Sequence, residues 1–497
     1  MVFLSNKLSG VWLASLLVAG LVLLSTASCR DEAPQADPWA PLASPLPHTD
    51  HTTLIAGPFA DGPAVTRRCL ECHPQAGEDI LKSTHWTWVS DTAVHPGTGE
   101  TLEIGKINLL NNFCVSIAGN WERCTSCHAG YGWADNSFDF TNPENIDCLV
   151  CHDLSGGYVK DPNGAGKPAK GVDLVNSAKS VGRPGRHNCG ACHFSGGGGD
   201  AVKHGDLDKT LRYPGERLDV HMGRHDLNCI DCHVTSAHVI GGHLPSVSNP
   251  KSTCIACTDC HGEAPHRNER LNAHQQSVAC QTCHIPQFAI DTPTKTSWDW
   301  ATAGQDTPPV EEYFQSGTER EYEKIKGSFT FDARMTPEYI WYNESVTRYL
   351  PGEVFDPAEI LMINTPQGSI DDPTAKIWPL KVHSGRQVYD TEYNYLLRAK
   401  TYGEGGFWTE FNWDKALRLG EELGGLPYSG NYGFIETRMY WPITHMVQPA
   451  EDALQCADCH GEQANRLDWE ALGYRGDPLT HGSRHQTVAR RGGAPDA

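Results

Sequence analysis

Residues 189–208 read CGACHFSGGGGDAVKHGDLD, which joins a Cys-x-x-Cys-His unit to four glycines and to the pair Lys203 and His204. The unit recurs at eight places, with first cysteines at positions 69, 124, 148, 189, 229, 257, 280 and 456. These copies use sixteen of the nineteen cysteines and leave Cys29, Cys114 and Cys254. Neither a disulfide framework nor a zinc site needs a histidine at the same offset in every copy.

The spacing of the unit has a mechanical reason. Two residues between the thiols let both sulfurs reach the vinyl groups of one haem, and the next residue brings its imidazole to the iron. The sequence therefore predicts eight covalently bound haem c groups. The expected attachment residues are Cys69, Cys72, Cys124, Cys127, Cys148, Cys151, Cys189, Cys192, Cys229, Cys232, Cys257, Cys260, Cys280, Cys283, Cys456 and Cys459. The expected proximal ligands are His73, His128, His152, His193, His233, His261, His284 and His460.

Sixteen of the 24 histidines lie outside the eight motifs. A low-spin haem takes a second imidazole, and neutral imidazole is available near pH 7. The expected distal ligands are His85, His204, His221, His238, His266, His274, His383 and His445. The histidines of the terminal segments are expected to be ordinary surface residues, namely His48, His51, His481 and His485.

The composition narrows the class of protein. A net charge of −21 over 497 residues does not attract nucleic acid or an anionic bilayer, and it suits a cationic redox partner. The chain holds 49 glycines and 32 prolines, and the seven motifs between residues 69 and 284 leave little room for a conventional core. We therefore expect a mainly α fold with much irregular loop, built around eight haems.

The chain divides by pattern into five segments. Residues 66–290 carry seven motifs and form a haem domain, and 291–450 is aromatic-rich. The stretches DTEYNYLLRAKTY and NWDKALRLGEEL within 291–450 have apolar residues three and four apart, so a helical lobe is expected there. The remaining segments are a signal peptide at 1–28, a flexible tether at 29–65, and the last haem site with a polar tail at 451–497.

The first residues indicate export. Lys7 precedes the apolar run 11–24, which is short for a membrane span. Cleavage before Cys29 would give a lipoprotein anchored through that cysteine, and cleavage after Ala27 would give a free protein. In either case we expect a periplasmic or otherwise extracytoplasmic location.

Several motifs resemble the octahaem tetrathionate reductase family, which is distantly similar to hydroxylamine oxidoreductase. The likeness runs from about residue 50 to 465. It rests on NNFC (111–114), CTSCHAGYGW (124–133), NIDCLVCHD (145–153), the stretch 189–208, LDVHM (218–222), VACQTCHIP (278–286) and WPITHMVQP (441–449).

The resemblance implies an active haem at CTSCH, with His128 as proximal and Lys203 as distal ligand. His204 would then point away and bind a different haem. A lysine binds iron only as its neutral amine, which burial favours. Cys114 would lie by this haem and attack a sulfur–sulfur bond as a thiolate, and Asp206 and Asp219 would orient the amine or deliver protons.

The implied reaction is reduction of tetrathionate to thiosulfate, with nitrite and hydroxylamine as further small inorganic substrates. Electrons would come from a small cytochrome or a quinol dehydrogenase. Two alternatives stay open. A hydroxylamine oxidoreductase would need a tyrosine from a neighbouring subunit's C-terminal region, and Tyr474 is the one tyrosine among the 37 residues after His460. A non-catalytic electron carrier would have eight bis-histidine haems.

Overall fold

The computed structural model describes residues 48–113, 116–242, 255–307 and 319–492. Short helices follow the haem motifs in the first half of the chain. The α-helices are Gly62–Leu70, Pro74–Ile80, Thr84–Thr87, Trp121–Cys124, Cys148–His152, Leu174–Lys179, Arg186–His193, Cys229–Cys232, Thr258–His261, Glu269–His274, Cys280–His284, Phe407–Glu410, Trp413–Gly424, Cys456–Cys459, Pro478–His481 and Arg484–Gly492. Single turns of 3-10 helix lie at Thr125–Cys127, Pro143–Asn145, Lys209–Arg212, Trp300–Thr302 and Ala450–Asp452, and a π-helical turn lies at Val220–Arg224.

Ten of the fourteen described strands lie between the motifs at 280 and 456, and four short strands lie in the haem half. The strands are β1 (Asp91–Val94), β2 (Thr101–Ile104), β3 (Thr235–Ser236), β4 (Val239–Ile240), β5 (Thr294–Asp299), β6 (Glu319–Glu323), β7 (Gly327–Asp332), β8 (Glu338–Tyr342), β9 (Val346–Arg348), β10 (Leu361–Met362), β11 (Asn364–Pro366), β12 (Lys376–Asp390), β13 (Tyr395–Leu396) and β14 (Tyr432–Pro442).

One eight-stranded sheet forms the body of this region, in the order β10-β14-β12-β5-β7-β6, with β8 and β13 also paired to β12. The long strands β12 and β14 run antiparallel, from Leu380 opposite Pro442 to Asp390 opposite Tyr432. Strand β5 lies parallel to β12 on its other side. The multihaem architecture therefore includes a sheet, and the expectation of a mainly α fold is wrong.

The expected helical lobe at 291–450 is likewise mostly sheet. NWDKALRLGEEL does form a helix, Trp413–Gly424, capped by the Asn412 side chain and ended by Gly425 at a φ of 84°. DTEYNYLLRAKTY instead contains β13, which pairs back onto the end of β12. Tyr395 and Leu396 are both buried there. Their apolar pattern is therefore compatible with a strand at the end of β12 as well as with the buried face of a helix.

The sheet is attached to the haem half through its inner face. Lys381 on β12 is fully buried, and its Nζ donates to the carbonyls of Val202 (3.1 Å) and Lys203 (3.3 Å). It also donates to the Thr294 hydroxyl on β5. The glycine-rich stretch is thus fixed against two neighbouring strands, and the backbone of Lys203 has a defined position.

Two boundary segments are packed rather than loose. Ile55, in the predicted tether, joins Val65 and Leu149 in a small core, so this part of 29–65 belongs to the folded body. In the predicted polar tail, Tyr474 is buried and its ring stacks on Trp341 with 6.3 Å between ring centres. In both segments, an apolar or aromatic side chain in an otherwise polar stretch packs against the folded protein.

Some predictions lie outside the described residues. These are the signal peptide, the lipidation of Cys29, the role of Cys114 and the spare cysteine Cys254. Along the ranges that the structure does cover, no helix has the length and apolar character needed to cross a membrane.

Candidate haem sites and active centre

A continuous cavity of about 3390 Å³ runs through the haem half of the protein. Cysteines from seven of the eight motifs line it, from the motif at 69 to the motif at 280. Six of those motifs also contribute their histidine to the lining, and CTSCH contributes Cys124 and Cys127 without His128.

Seven motif histidines face a second histidine across a constant gap. Two metal–imidazole bonds of about 2 Å plus two half-rings separate trans imidazole centres by about 6 Å. The observed separations lie between 6.0 and 6.5 Å, which fits an iron held between the two rings. The pairs are His73 with His51, His152 with His238, His193 with His85, His233 with His445, His261 with His221, His284 with His266, and His460 with His274.

The hydrogen bonds of these rings agree with that assignment. Where a paired histidine bonds to the protein, it uses Nδ1, as in His152 to Gly182 O (2.9 Å) and His233 to Gly241 O (2.8 Å). This leaves Nε2 directed at the facing ring. A bonded Nδ1 also fixes the orientation of the imidazole, as metal-binding histidines require.

The structure brings six of the eight expected distal histidines opposite a motif histidine. These are His85, His221, His238, His266, His274 and His445. His51 takes a seventh position, although it was expected to be a surface residue. The neighbouring apolar residue Ile55, which is buried, was the sequence signal that this segment packs onto the motif at 69.

His204 and His383 are not brought opposite a motif histidine. His204 packs edge-on against Trp441, with 5.0 Å between ring centres, and lines the same cavity as Lys203. His383 is fully buried on β12, beside Phe113, and within the described residues neither ring nitrogen has a hydrogen-bond partner. The expectation that His204 serves a different haem therefore has no facing ring to support it.

His128 differs from the other seven motif histidines. Its ring is buried and its Nε2 bonds to the carbonyl of Trp86 at 2.6 Å, whereas the bonded motif histidines His152, His233 and His460 use Nδ1. Burial lowers the pKa of His128 to about 3, so the ring is neutral and Nε2–H donates. The surrounding rings are Trp86, Trp88, Trp133, Phe138 and Phe140.

The close packing of this aromatic pocket depends on Gly130. A Cβ at that position would lie 2.6 Å from Trp86 and 2.9 Å from His128, which is too close for either ring to stay in place. The pocket thus holds the His128 ring away from the cavity. His128 is therefore absent from the lining of the cavity, and its role as proximal ligand stays a prediction.

Lys203 lines the cavity together with Cys124 and Cys127. Its Nζ lies over the ring of Trp441, 4.9 Å from the ring centre. Its aliphatic stem passes Gly196, where an added Cβ would lie 3.5 Å from the Lys203 Cδ. The four glycines line the cavity as well, and their close approach to a porphyrin stays a prediction.

Asp206 and Asp219 contact the segments that carry distal histidines. The Asp206 carboxylate accepts from the backbone N–H of Thr444 (2.8 Å) and of His445 (2.9 Å), and it lies 3.2 Å from His445 Nδ1. Asp219 caps the turn that carries His221, accepting from the backbone N–H of Met222 at 2.8 Å. Asp206 thus contacts the imidazole of His445 and Asp219 the backbone beside His221, whereas the expected roles were to orient the Lys203 amine or deliver protons.

Contacts between cysteines of different motifs order the haem sites in space. The side chains of Cys69 and Cys148 lie close together, as do those of Cys189 and Cys229, and of Cys257 and Cys280. Cys151 also lies near Cys189, Cys232 near Cys260, and Cys283 near Cys456. The motifs therefore follow one another in the series 69, 148, 189, 229, 257, 280 and 456.

CTSCH joins this series from the side. Cys127 contacts the motif at 189, where the Cys192 Sγ lies 3.9 Å from the Cys127 carbonyl oxygen. The motif at 189 is thus a branch point, which neither the spacing nor the order of the motifs along the sequence indicates.

The cysteine pairs, the facing histidines and the cavity together define a multihaem c-type cytochrome with covalently bound haem c. A family model described as "Cytochrome c bacterial" matches residues 295–463. An uncharacterized protein of Archaeoglobus fulgidus is 25% identical over 225 residues, which is 35% of this chain and 75% of that protein.

A crystal structure of octaheme cytochrome c from Shewanella oneidensis is similar over 87% of this chain and 98% of that one. The identity is 46% and the TM-score is 0.79. This chain belongs to the same family, the octahaem cytochromes c, among which are the tetrathionate reductases that its motifs resemble.

Proposed function

We propose that this cytochrome is an extracytoplasmic reductase that cleaves tetrathionate to thiosulfate at the site of CTSCH and Lys203. Nitrite and hydroxylamine are its further substrates. The observation that carries the proposal is the contrast between this site and the other seven. Each of those offers two facing imidazoles, whereas here the thiols share the cavity with Lys203 and the motif imidazole is turned away.

The bound haem would supply electrons and an iron centre, with Lys203 as its protein ligand. An amine ligand from one residue leaves the site open to a small molecule in a way that two fixed imidazoles do not. Lys203 is held by its backbone, through Lys381, and by its stem, through Gly196 and Trp441. These contacts direct the side chain into the cavity, beside the Trp441 ring of β14.

The charges around the site suit an anionic substrate. Tetrathionate is a dianion that accepts two electrons, and cleavage of its central S–S bond gives two thiosulfate dianions with no proton consumed. Lys106 lines the cavity and interacts electrostatically with Cys127. This local positive field would attract a dianion in spite of the overall charge of −21.

The test replaces Lys203 by methionine in the full, haem-loaded protein. We expect one ferric signal to change in the electron paramagnetic resonance spectrum and tetrathionate turnover to fall about 100-fold, the scale for loss of one preorganised polar group. Lys209→Met is the matched control, because Lys209 is an exposed lysine six residues further on that pairs with Asp200 at 3.9 Å. An unchanged spectrum in Lys203→Met would contradict the assignment.

The same experiment separates the alternatives. A non-catalytic carrier would show a bis-imidazole signal at every haem and no tetrathionate turnover in the unaltered protein. The oxidoreductase alternative relies on a C-terminal tyrosine that reaches a neighbouring subunit. Tyr474 is instead buried against Trp341 and Trp469 within its own chain, which speaks for reduction.

A further inference from the structure

The axial histidines differ in the group that accepts from their Nδ1. In one set the acceptor is a neutral backbone carbonyl. This set comprises His51 with Thr49 (2.7 Å), His152 with Gly182 (2.9 Å), His233 with Gly241 (2.8 Å) and His274 with Arg270 (2.7 Å). In the other set the acceptor is a carboxylate, and its members are His460 with Asp477 (2.7 Å) and His445 with Asp206 (3.2 Å).

Asp477 is fixed in place independently of the haem. Its Oδ1 also accepts from the backbone N–H of Leu479 at 2.8 Å, and its Oδ2 accepts from that of Gly461 at 2.8 Å. Both Asp477 and His460 have side chains that are 17% exposed, so solvent screens their interaction only in part. The geometry therefore keeps an ionised carboxylate on the outer nitrogen of this axial ligand.

Asp206 is more deeply enclosed. Its side chain is 1% exposed and its Oδ2 receives three donors, two backbone N–H groups and His445 Nδ1. Around this carboxylate lie His204, whose Nδ1 is 4.0 Å from Asp206 Oδ1, and Lys381, with which it interacts electrostatically. The bond from Asp206 to its histidine is longer than that of Asp477, and cationic or polar groups surround its carboxylate. Asp206 should therefore increase the basicity of its histidine less than Asp477 does.

A carboxylate acceptor makes a metal-bound imidazole more basic than a carbonyl does. A more basic ligand stabilises the ferric state more than the ferrous state, and hydrogen bonds to the axial ligand are one of the means by which a protein sets a haem potential. We propose that Asp477 lowers the reduction potential of the haem attached at Cys456 and Cys459. We infer the same, smaller effect of Asp206 on the haem attached at Cys229 and Cys232.

The position of Asp477 indicates the direction in which electrons would move along the series of haem sites. The motif at 456 ends the series of haem sites, and Cys456 is exposed. The next site inwards, at Cys280, has His284 and His266, and His266 Nδ1 faces the neutral amide oxygen of Asn272 at 3.2 Å. A low potential at the end of the series favours entry of electrons there and their passage inwards, whichever substrate the protein reduces.

The experiment is a redox titration of the full haem-loaded protein, followed by absorption and electron paramagnetic resonance. Asp477→Asn keeps the shape and an acceptor oxygen but removes the charge. We expect one of the eight midpoint potentials to rise, by about a tenfold change in the ferric–ferrous equilibrium, or about 59 mV for one electron. The low-spin ferric signal of that haem should shift with it, and Asp206→Asn should raise a different potential by less.

Asp173→Asn is the matched control, since Asp173 also caps a helix, Leu174–Lys179, and the contacts of its carboxylate are with backbone N–H groups. Asp477→Glu restores the charge and should return the potential toward its original value. The proposal is overturned if Asp477→Asn leaves all eight potentials in place, or if Asp477→Glu raises the potential as much as Asp477→Asn does. None of these results depends on turnover, so they are separate from the test of Lys203.

Discussion

The buried pair of Asp147 and Lys160 links CTSCH to the motif at 148, and its removal should be costly. The two side chains are 0% and 8% exposed, and Lys160 Nζ lies 3.0 Å from the Asp147 carboxylate. Asp147 also accepts from Tyr131 Oη (2.7 Å) and Tyr158 Oη (2.8 Å). On the other side, Lys160 donates to the carbonyl of His128.

Asp147→Ala would leave a buried ammonium and two buried hydroxyls without their acceptor. Loss of one partner of a buried ion pair costs about 3–5 kcal/mol, and Asp147 also caps the helix Cys148–His152, which adds about 1 kcal/mol. We therefore expect the free energy of unfolding to fall by about 4–6 kcal/mol. Adding Lys160→Met removes the unpaired charge and should restore roughly half of that loss.

The assay is denaturant unfolding of the two single variants and the double variant, followed by far-ultraviolet circular dichroism. Asp173→Ala is the control, because it removes a helix cap with no buried cation beside it and should cost only about 1 kcal/mol. The reasoning fails if Asp147→Ala costs no more than Asp173→Ala, or if Lys160→Met destabilises the Asp147→Ala protein further.

Three other predictions follow from single contacts. Burial lowers the pKa of Lys295 to about 7 from its ordinary 10.5. Between pH 7 and 10.5 the unfolded chain therefore binds one more proton at this residue than the folded chain does. The free energy of unfolding should rise there by about 1.4 kcal/mol per pH unit. Buried Lys381, whose pKa is also lowered to about 7, contributes a slope of its own, so Lys295→Met should reduce the slope measured from pH 7 to 10 by about half. A slope equal to that of the unaltered protein would exclude Lys295 as a source. His51→Ala should convert one low-spin haem to high spin by absorption spectroscopy, whereas His48→Ala should not; equal spectra for the two would refute the pairing with His73. Lys381→Met removes one donor from each of two buried carbonyls, so it should lower stability by about 2–4 kcal/mol and broaden the ferric signal of the Lys203 haem. A sharp, unchanged signal would show that Lys381 does not position Lys203.

The haem chemistry could be predicted from the sequence because it depends on local spacing. Two thiols and a histidine within five residues specify one attachment site wherever the chain runs. Distal histidines are harder, since each arrives from a distant segment. His85 and His445 were recognisable from their aromatic and apolar neighbours, but His51 lay in a stretch that looked like a linker.

The sheet and the His128 pocket could not be predicted for a different reason. The stretch at 390–402 carries apolar residues at helical spacing, yet its backbone groups pair with β12, and only the neighbouring strand decides between these outcomes. His128 stands in the same five-residue context as the other motif histidines. Its orientation is set by Trp86, Gly130 and Trp133, which lie before and after the motif and are brought together only in the fold.

The position of CTSCH beside the series of haem sites has a consequence for electron transfer in the inhibited protein. The seven other motifs form a complete line from Cys69 to Cys456, and Cys127 meets that line at Cys192. The proposed active centre is thus a side branch of that line and not a member of it. An inhibitor bound at this centre would stop turnover but would leave electron transfer along the other seven haems intact. An inhibited molecule on an electrode should therefore still conduct electrons between its two ends.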